Sequence, residues 1–174
     1  MNCQLRNWTM EDAESLAEII SNKKLQDNLR DGIPFPYTVQ DGKAFITEML
    51  SSDKNDIFAF AVIADGKLAG SIAAYRQENI HCKTAELGYY LAEECWGRGV
   101  MTEAVRQICR YVFSHSDIIR IYAEPFAYNT GSCRVLEKAG FQYEGTLRCN
   151  AVKNGKVLDM KMYSLLRENY GGCL

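Results

Sequence analysis

The residues able to do chemistry gather in two stretches. In the first, residues 86–113, the carboxylate of Glu86 opens an uncharged, aromatic run to Leu91, and Gly97, Arg98 and Gly99 follow. Glycine reaches backbone angles that other residues avoid, so this triplet suits a tight turn. Beyond it Met101, Ala104, Val105, Ile108, Cys109, Val112 and Phe113 recur at helical spacing and predict a helix. A strand, a glycine turn and a helix start, in that order, can hold an anion. The first helical N–H groups lack partners, and the helix dipole places partial positive charge there. Arg98 fits this reading: a cation beside a helix N-terminus costs about 0.3–1 kcal/mol unless an anion lies between them. With a phosphate in place, arginine and amides act together. An ordinary βα turn with a solvated arginine has the same composition, and the residues alone leave both open. The Gly-Lys-Ser/Thr ending of a nucleotide P-loop and the third glycine of a dinucleotide fingerprint are both missing.

The second stretch, residues 129–141, places Asn129 and Ser132 where a short helix should begin. An N-cap with a polar first turn accounts for both. Among carboxylates, Glu86 shares a strand face with Gly88 and Tyr90. Hydrophobic neighbours of that kind raise a carboxyl pKa and suit a general base; the plainer alternative is a strand-end carboxylate reaching solvent. Asp159 shares a face with Lys161 and Tyr163, which favours a cross-strand ion pair, and Tyr128 reads as packing. Two histidines, His81 and His115, argue against a histidine triad or a metal site. The seven cysteines, at 3, 82, 95, 109, 133, 149 and 173, include no C-x-x-C pair. They argue against a disulfide framework or a zinc site. Cys109 lies on the apolar helix stripe, and only Cys133, beside Ser132, keeps a covalent route open.

Taken together and in this order, WGRGVMTEA (96–104) and NTGSCRVLEKAGF (129–141) resemble the GNAT acyl-CoA N-acyltransferases. More narrowly they are similar to the RimJ/RimL branch, the ribosomal-protein N-terminal acetyltransferases. The resemblance implies acetyl-CoA as co-substrate and no metal. Gly97, Arg98, Gly99, Val100, Met101 and Thr102 would wrap its pyrophosphate. Tyr89, Tyr90, Leu91 and Asn129 would meet the pantetheine arm, and Lys138 completes the cofactor-binding set. Ser132 would lie near the thioester sulfur, as the acid that reprotonates the leaving thiolate. Three departures stand out. The family's Q/R-x-x-G-x-G/A pattern falls on Trp96, Gly99 and Met101, although backbone donors do not depend on side-chain identity. The usual tyrosine acid falls on Leu136, a core residue, and the RimL-like glutamate base falls on Ala151. Glu86 and Ser132 remain as the catalytic candidates. The implied reaction is acetyl transfer to a primary amine, an N-terminal α-amino group of a protein or a small amine, by direct attack in a ternary complex. A polyamine- or aminoglycoside-type acetyltransferase and a non-catalytic acyl-CoA-binding protein are the alternatives.

These residues need elements to position them. The 174 residues, 47% apolar and 24% charged, suit one domain over residues 1–174. A net charge of −2 argues against a nucleic-acid partner. No signal-peptide core and no membrane-spanning stretch is evident, so the expectation is a cytoplasmic protein, monomer or homodimer, without a membrane partner. Strands are predicted at residues 5–8, 57–64, 68–75, 86–91, 118–124, 141–152 and 157–166, with hairpin turns at Asp65-Gly66 and Asn154-Gly155. Thr9 with Asp12 and Thr38 with Asp41 mark helix starts; a further helix is expected in the polar segment ending at Arg30, and another at residues 132–139, closed by Gly140. The two prolines within residues 32–38 exclude regular structure there. The helix between the strands at 86–91 and 118–124 makes them parallel neighbours. The fold expected is α+β: a mixed, mostly antiparallel twisted sheet of about seven strands flanked by helices, with one splayed parallel pair. By the resemblance, pantetheine would lie in that splay, and the acceptor would enter from the opposite side, past residues 32–38 and the final hairpin.

Overall fold

The computed structural model describes residues 1–170. Its strands are β1 (Cys3–Arg6), β2 (Ile57–Ala64), β3 (Lys67–Arg76), β4 (Thr84–Leu91), β5 (Arg120–Ala123), β6 (Gln142–Lys153) and β7 (Lys156–Leu166). They form one sheet in the spatial order β1-β2-β3-β4-β5-β7-β6. β4 and β5 run parallel, and the other neighbours are antiparallel. Asp65 and Gly66 both hold positive φ, 48° and 83°, as a two-residue hairpin between right-twisted strands requires. Gly70 lets β3 and β4 approach closely, since a Cβ there would lie 2.2 Å from the carbonyl oxygen of Tyr90.

Helices α1 (Ala13–Ile20) and α3 (Val39–Ser51) cover one face of the sheet, joined by the short α2 (Lys23–Gln26); α4 (Val100–His115) and α5 (Thr130–Lys138) cover the other. Both predicted caps form: Asp12 accepts from the Thr9 amide at 2.9 Å, and Asp41 accepts from the Thr38 amide at 2.8 Å. Thr9 starts a 3-10 turn (Met10–Asp12) that leads into α1. The predicted stripe of α4 is the buried one, with Ala104, Val105, Ile108 and Val112 fully enclosed against the sheet. Each such large apolar side chain contributes about 1.5–3 kcal/mol. Cys109 is buried among them.

Three of the differences from the sequence reading have a clear physical cause. The first strand is Cys3–Arg6 rather than 5–8, because Trp8 is buried under the helices, edge-on to Phe45 with ring centres 5.5 Å apart. The polar segment before Arg30 forms only the single turn α2, capped by the Asn22 side chain, which accepts from the Lys24 and Leu25 amides. β5 begins at Arg120, since the Ile118 carbonyl is taken by the Arg167 guanidinium. Among the described residues no helix is long and apolar enough to cross a membrane.

Candidate active site

β4 and β5 pair from Thr84–Arg120 to Glu86–Tyr122 and no further. β4 continues to Leu91, whereas the chain after β5 stays beside β7, where Phe126 bridges to Met160. The two strands therefore part, and a cleft of about 1250 Å³ opens at the gap. That exceeds the range of about 300–1,000 Å³ usual for small-molecule sites.

One side of the cleft is built by α4 and α5. Gly97 and Gly99 take φ of 72° and 79°, and Gly99 caps α4 in the left-handed conformation, with no side-chain cap. The first amides of α4 are thus left free to donate to a ligand. Gly97, Gly99, Val100, Met101 and Thr102 all line the cleft. Arg98 does not. Its guanidinium is exposed, 3.9 Å from the Met1 sulfur. With a left-handed glycine on each side, the turn carries this side chain outward. The cations that line this side are Arg106, one turn beyond Thr102, and the α5 pair Arg134 and Lys138. Arg106 donates to the Lys138 carbonyl at 2.6 Å. Lys138 was expected; Arg106 and Arg134 were not, although the four-residue spacings 102–106 and 134–138 were readable.

Asn129 caps α5 by accepting from the Ser132 amide at 3.1 Å. The Tyr89 hydroxyl lies 2.8 Å from Ser132 Oγ and 3.3 Å from the Ser132 carbonyl. Burial pushes the Tyr89 phenol far above its ordinary pKa, with the Ser132 hydrogen bond partly opposing. Tyr89 therefore stays protonated and fixes the Ser132 side chain. Leu136 is fully buried and Cys133 is buried beside it. A phenol thus reaches Ser132 from β4, a contact between distant segments that no local pattern announces. Trp96 also lines the cleft, its indole N–H donating to the Leu91 carbonyl at 2.7 Å.

The other side carries the carboxylates. Alternation along β3, β4 and β5 places Tyr75, Glu86, Tyr90, Tyr122 and Glu124 on the face covered by α1 and α3. The surroundings of Glu86 are not the apolar ones expected. Arg30 donates to its carboxylate at 2.5 Å and lies 3.6 Å from Glu124, so one guanidinium bridges two acids. Local sequence gave no reason to place Arg30 there, because the irregular segment that carries it is fixed by distant partners. Lys153 pairs with Asp31 at 2.7 Å, Asn154 donates to the Asp27 carboxylate at 2.9 Å, and Tyr128 donates to the Asp27 carbonyl at 2.8 Å. Glu124 was also missed, though it directly follows β5, the strand parallel to that of Glu86. Burial pushes its carboxyl up, the Glu86 charge adds to this, and Arg30 partly opposes. The same surroundings raise the Tyr122 hydroxyl to about 12. Tyr90 faces this side with its phenol raised by burial.

Two further expectations are corrected. Asp159 forms no cross-strand ion pair; it accepts from the Cys149 amide at 2.7 Å, where a register shift in β6 leaves that amide without a ladder partner. Tyr128 does pack, stacked on Phe126 at 5.5 Å, but is also half exposed and tied to Asp27. The final residues, Cys173 among them, lie outside the described part of the chain.

A family model of the acetyltransferase (GNAT) domain matches residues 3–142. The chain is 37% identical over 133 residues to "Probable N-acetyltransferase YjcK" of Bacillus subtilis, covering 75% of this chain and 74% of that protein. It is 30% identical over 172 residues to the uncharacterized N-acetyltransferase p20 of Bacillus licheniformis, covering 97% and 94%. Among solved structures, RimL, a ribosomal L7/L12 alpha-N-protein acetyltransferase in complex with coenzyme A, is similar with a TM-score of 0.84. That likeness covers 95% of this chain and 94% of the other at 20% identity, and is a likeness of fold.

Proposed function

The chain belongs to the acetyltransferase (GNAT) family, and from that premise we propose that it transfers an acetyl group from acetyl-CoA to a primary amine within a ternary complex, as one domain over residues 1–174. The observation that carries this reading is the parting of β4 and β5 at Glu86. It puts a helix N-terminus without a side-chain cap and Ser132 on one side of a single cleft, and two carboxylates on the other.

The residues present fit the co-substrate. The α4 amides from Gly99 to Thr102, with Arg106, Arg134 and Lys138 around them, offer donors and positive charge to phosphates. Acetyl-CoA would bring an activated thioester carbonyl, and the rest falls to the chain. Glu86 and Glu124 face the side from which an amine would enter, and one of them accepts the amine proton as the new C–N bond forms. Glu124 is the better placed base, since its raised pKa brings it closer to the working pH. Ser132 Oγ, held by Tyr89, returns a proton to sulfur as the C–S bond breaks. An α-amino group of pKa near ~8 costs only about 1 kcal/mol to neutralise at pH 7, against roughly 4–5 kcal/mol for a lysine-type amine. A protein N-terminus or another weakly basic amine is therefore the easier acceptor. The non-catalytic alternative rested on the empty acid and base positions at Leu136 and Ala151. Tyr89 with Ser132, and Glu124 with Glu86, fill those roles from other elements.

A thiol-release assay with a panel of peptides, monoamines and polyamines tests the reading. Acetyl-CoA-dependent turnover with at least one class is expected. Tight acetyl-CoA binding without turnover on any amine would overturn it.

A further inference from the structure

The face that carries Glu86 holds a second, smaller hollow of about 280 Å³. Ile20 of α1, Phe45 and Met49 of α3, Ile33 of the proline-containing loop, and Tyr75 and Tyr90 of the sheet line it. Ile33, Phe45, Tyr75 and Tyr90 line the main cleft as well, so the hollow opens into it. Tyr75 stands directly opposite Glu86 in the β3–β4 register. A group lodged against Tyr75 therefore sits about one strand spacing, roughly 5 Å, from the strand position of Glu86, with the β5 end that leads to Glu124 one strand further on. The space falls just below the range of about 300–1,000 Å³ that takes a whole small molecule, and suits one side chain. Among its described lining residues Glu48 alone is charged, and that side chain is exposed at the rim.

Resting on the amine-acetylation reading above, we propose that the acceptor is a primary amine bearing an apolar arm, aromatic or branched aliphatic. Its nitrogen lies at Glu86 and Glu124, and its arm fills the hollow between Ile33, Phe45, Tyr75 and Tyr90. Charge complementarity fixes one end, since the two acids carry more negative charge than Arg30 neutralises. The apolar lining fixes the other. A second ammonium in the hollow would lose its water without gaining an enclosed counter-charge, and burying an unpaired charge is strongly unfavourable. A linear polyamine is therefore the wrong shape of charge for this site.

The test separates this inference from the reading beneath it. CoA-loaded protein is titrated calorimetrically with 2-phenylethylamine, ethanolamine and 1,3-diaminopropane, and thiol release from acetyl-CoA is followed with the same amines. One methylene in an apolar pocket changes discrimination by about 10–200-fold, so 2-phenylethylamine should bind at least about tenfold tighter than the other two. Ile33→Asp should reduce that preference to within about threefold, and Ile33→Ala should give an intermediate value. Ile33 lies in an irregular loop, and circular dichroism checks that both variants fold. Equal affinities, tighter diamine binding, or a preference unmoved by Ile33→Asp would overturn the proposal, whatever the turnover. A confirmed preference in binding without acetylation would instead leave the hollow assigned and remove the transfer reading.

Discussion

Replacing Arg30 with alanine tests whether the two carboxylates are the base. Arg30 donates to Glu86 at 2.5 Å and stands 3.6 Å from Glu124, with its side chain 58% exposed. A unit charge 3.6 Å away is worth roughly 1 kcal/mol in a water-like medium and about 4–5 kcal/mol at an effective dielectric near 20. The exposure of Arg30 puts the pair toward the lower figure, and about 1.4 kcal/mol corresponds to one pH unit. The sign follows from what acts on Glu124: burial and the Glu86 charge raise its carboxyl, and Arg30 lowers it. With the guanidinium removed, the two raising influences act unopposed. The base then loses its proton only at higher pH, and the acidic limb of kcat/KM should move up by about one unit. The assay is thiol release against pH, at low ionic strength, with a peptide acceptor whose α-amino pKa near ~8 keeps its own limb apart. Arg30→Lys, which retains the charge, should keep most of the original profile. Acetyl-CoA affinity should not change, because Arg30 belongs to the acceptor side. An acidic limb that stays in place, or moves down, would refute the assignment of the base to this pair.

Three other perturbations reach the remaining parts of the site and the sheet. Tyr89→Phe removes a hydroxyl 2.8 Å from Ser132 Oγ and should lower kcat by about 3–10-fold, the worth of one neutral hydrogen bond. Added to Ser132→Ala it should cost nothing more, and additive losses in the double-mutant cycle would show that Tyr89 does not act through Ser132. Lys138→Glu should weaken acetyl-CoA binding by about tenfold or more, and Arg98→Glu by less, since Lys138 lines the cleft and Arg98 does not; calorimetric titration giving the reverse order would contradict the placement of the phosphates. The Glu144 carboxyl, held by Arg120 against some desolvation and helped by Ser164, is lowered to about 2. Its stabilisation is therefore full above the ordinary carboxylate range and lost as pH falls toward about 2. Partly exposed, the pair is worth about 1 kcal/mol, so Glu144→Gln should lower the urea midpoint at pH 7 but not near pH 2, and a gap unchanged with pH would exclude the linkage.

What the chain disclosed of itself follows the range over which each feature is decided. The helix at Met101, its glycine turn, the Asp65-Gly66 and Asn154-Gly155 hairpins and the Asn129 cap are set within a few residues. Each was legible because backbone angle, spacing and capping are local. The parting of the parallel strands was anticipated only through the family resemblance, and their register then showed where it begins. Arg30, Glu124 and the Tyr89 hydroxyl escaped because their roles arise from meetings across 56, 38 and 43 residues of chain. Arg98 is a related case. Its position beside the helix start was right, but two left-handed glycines decide where its side chain goes, and side-chain direction in a turn does not follow from proximity in sequence. On the proposed reading, the same logic explains how the reaction could proceed without the family's usual residues. The phenol absent at Leu136 and the carboxylate absent at Ala151 would need only to reach the reacting atoms, and on that reading Tyr89 and Glu86 of β4, with Glu124 just after β5, would do so. On that reading the site is set by the point at which two parallel strands separate, and the elements that would supply acid and base to that point differ from the family's usual ones.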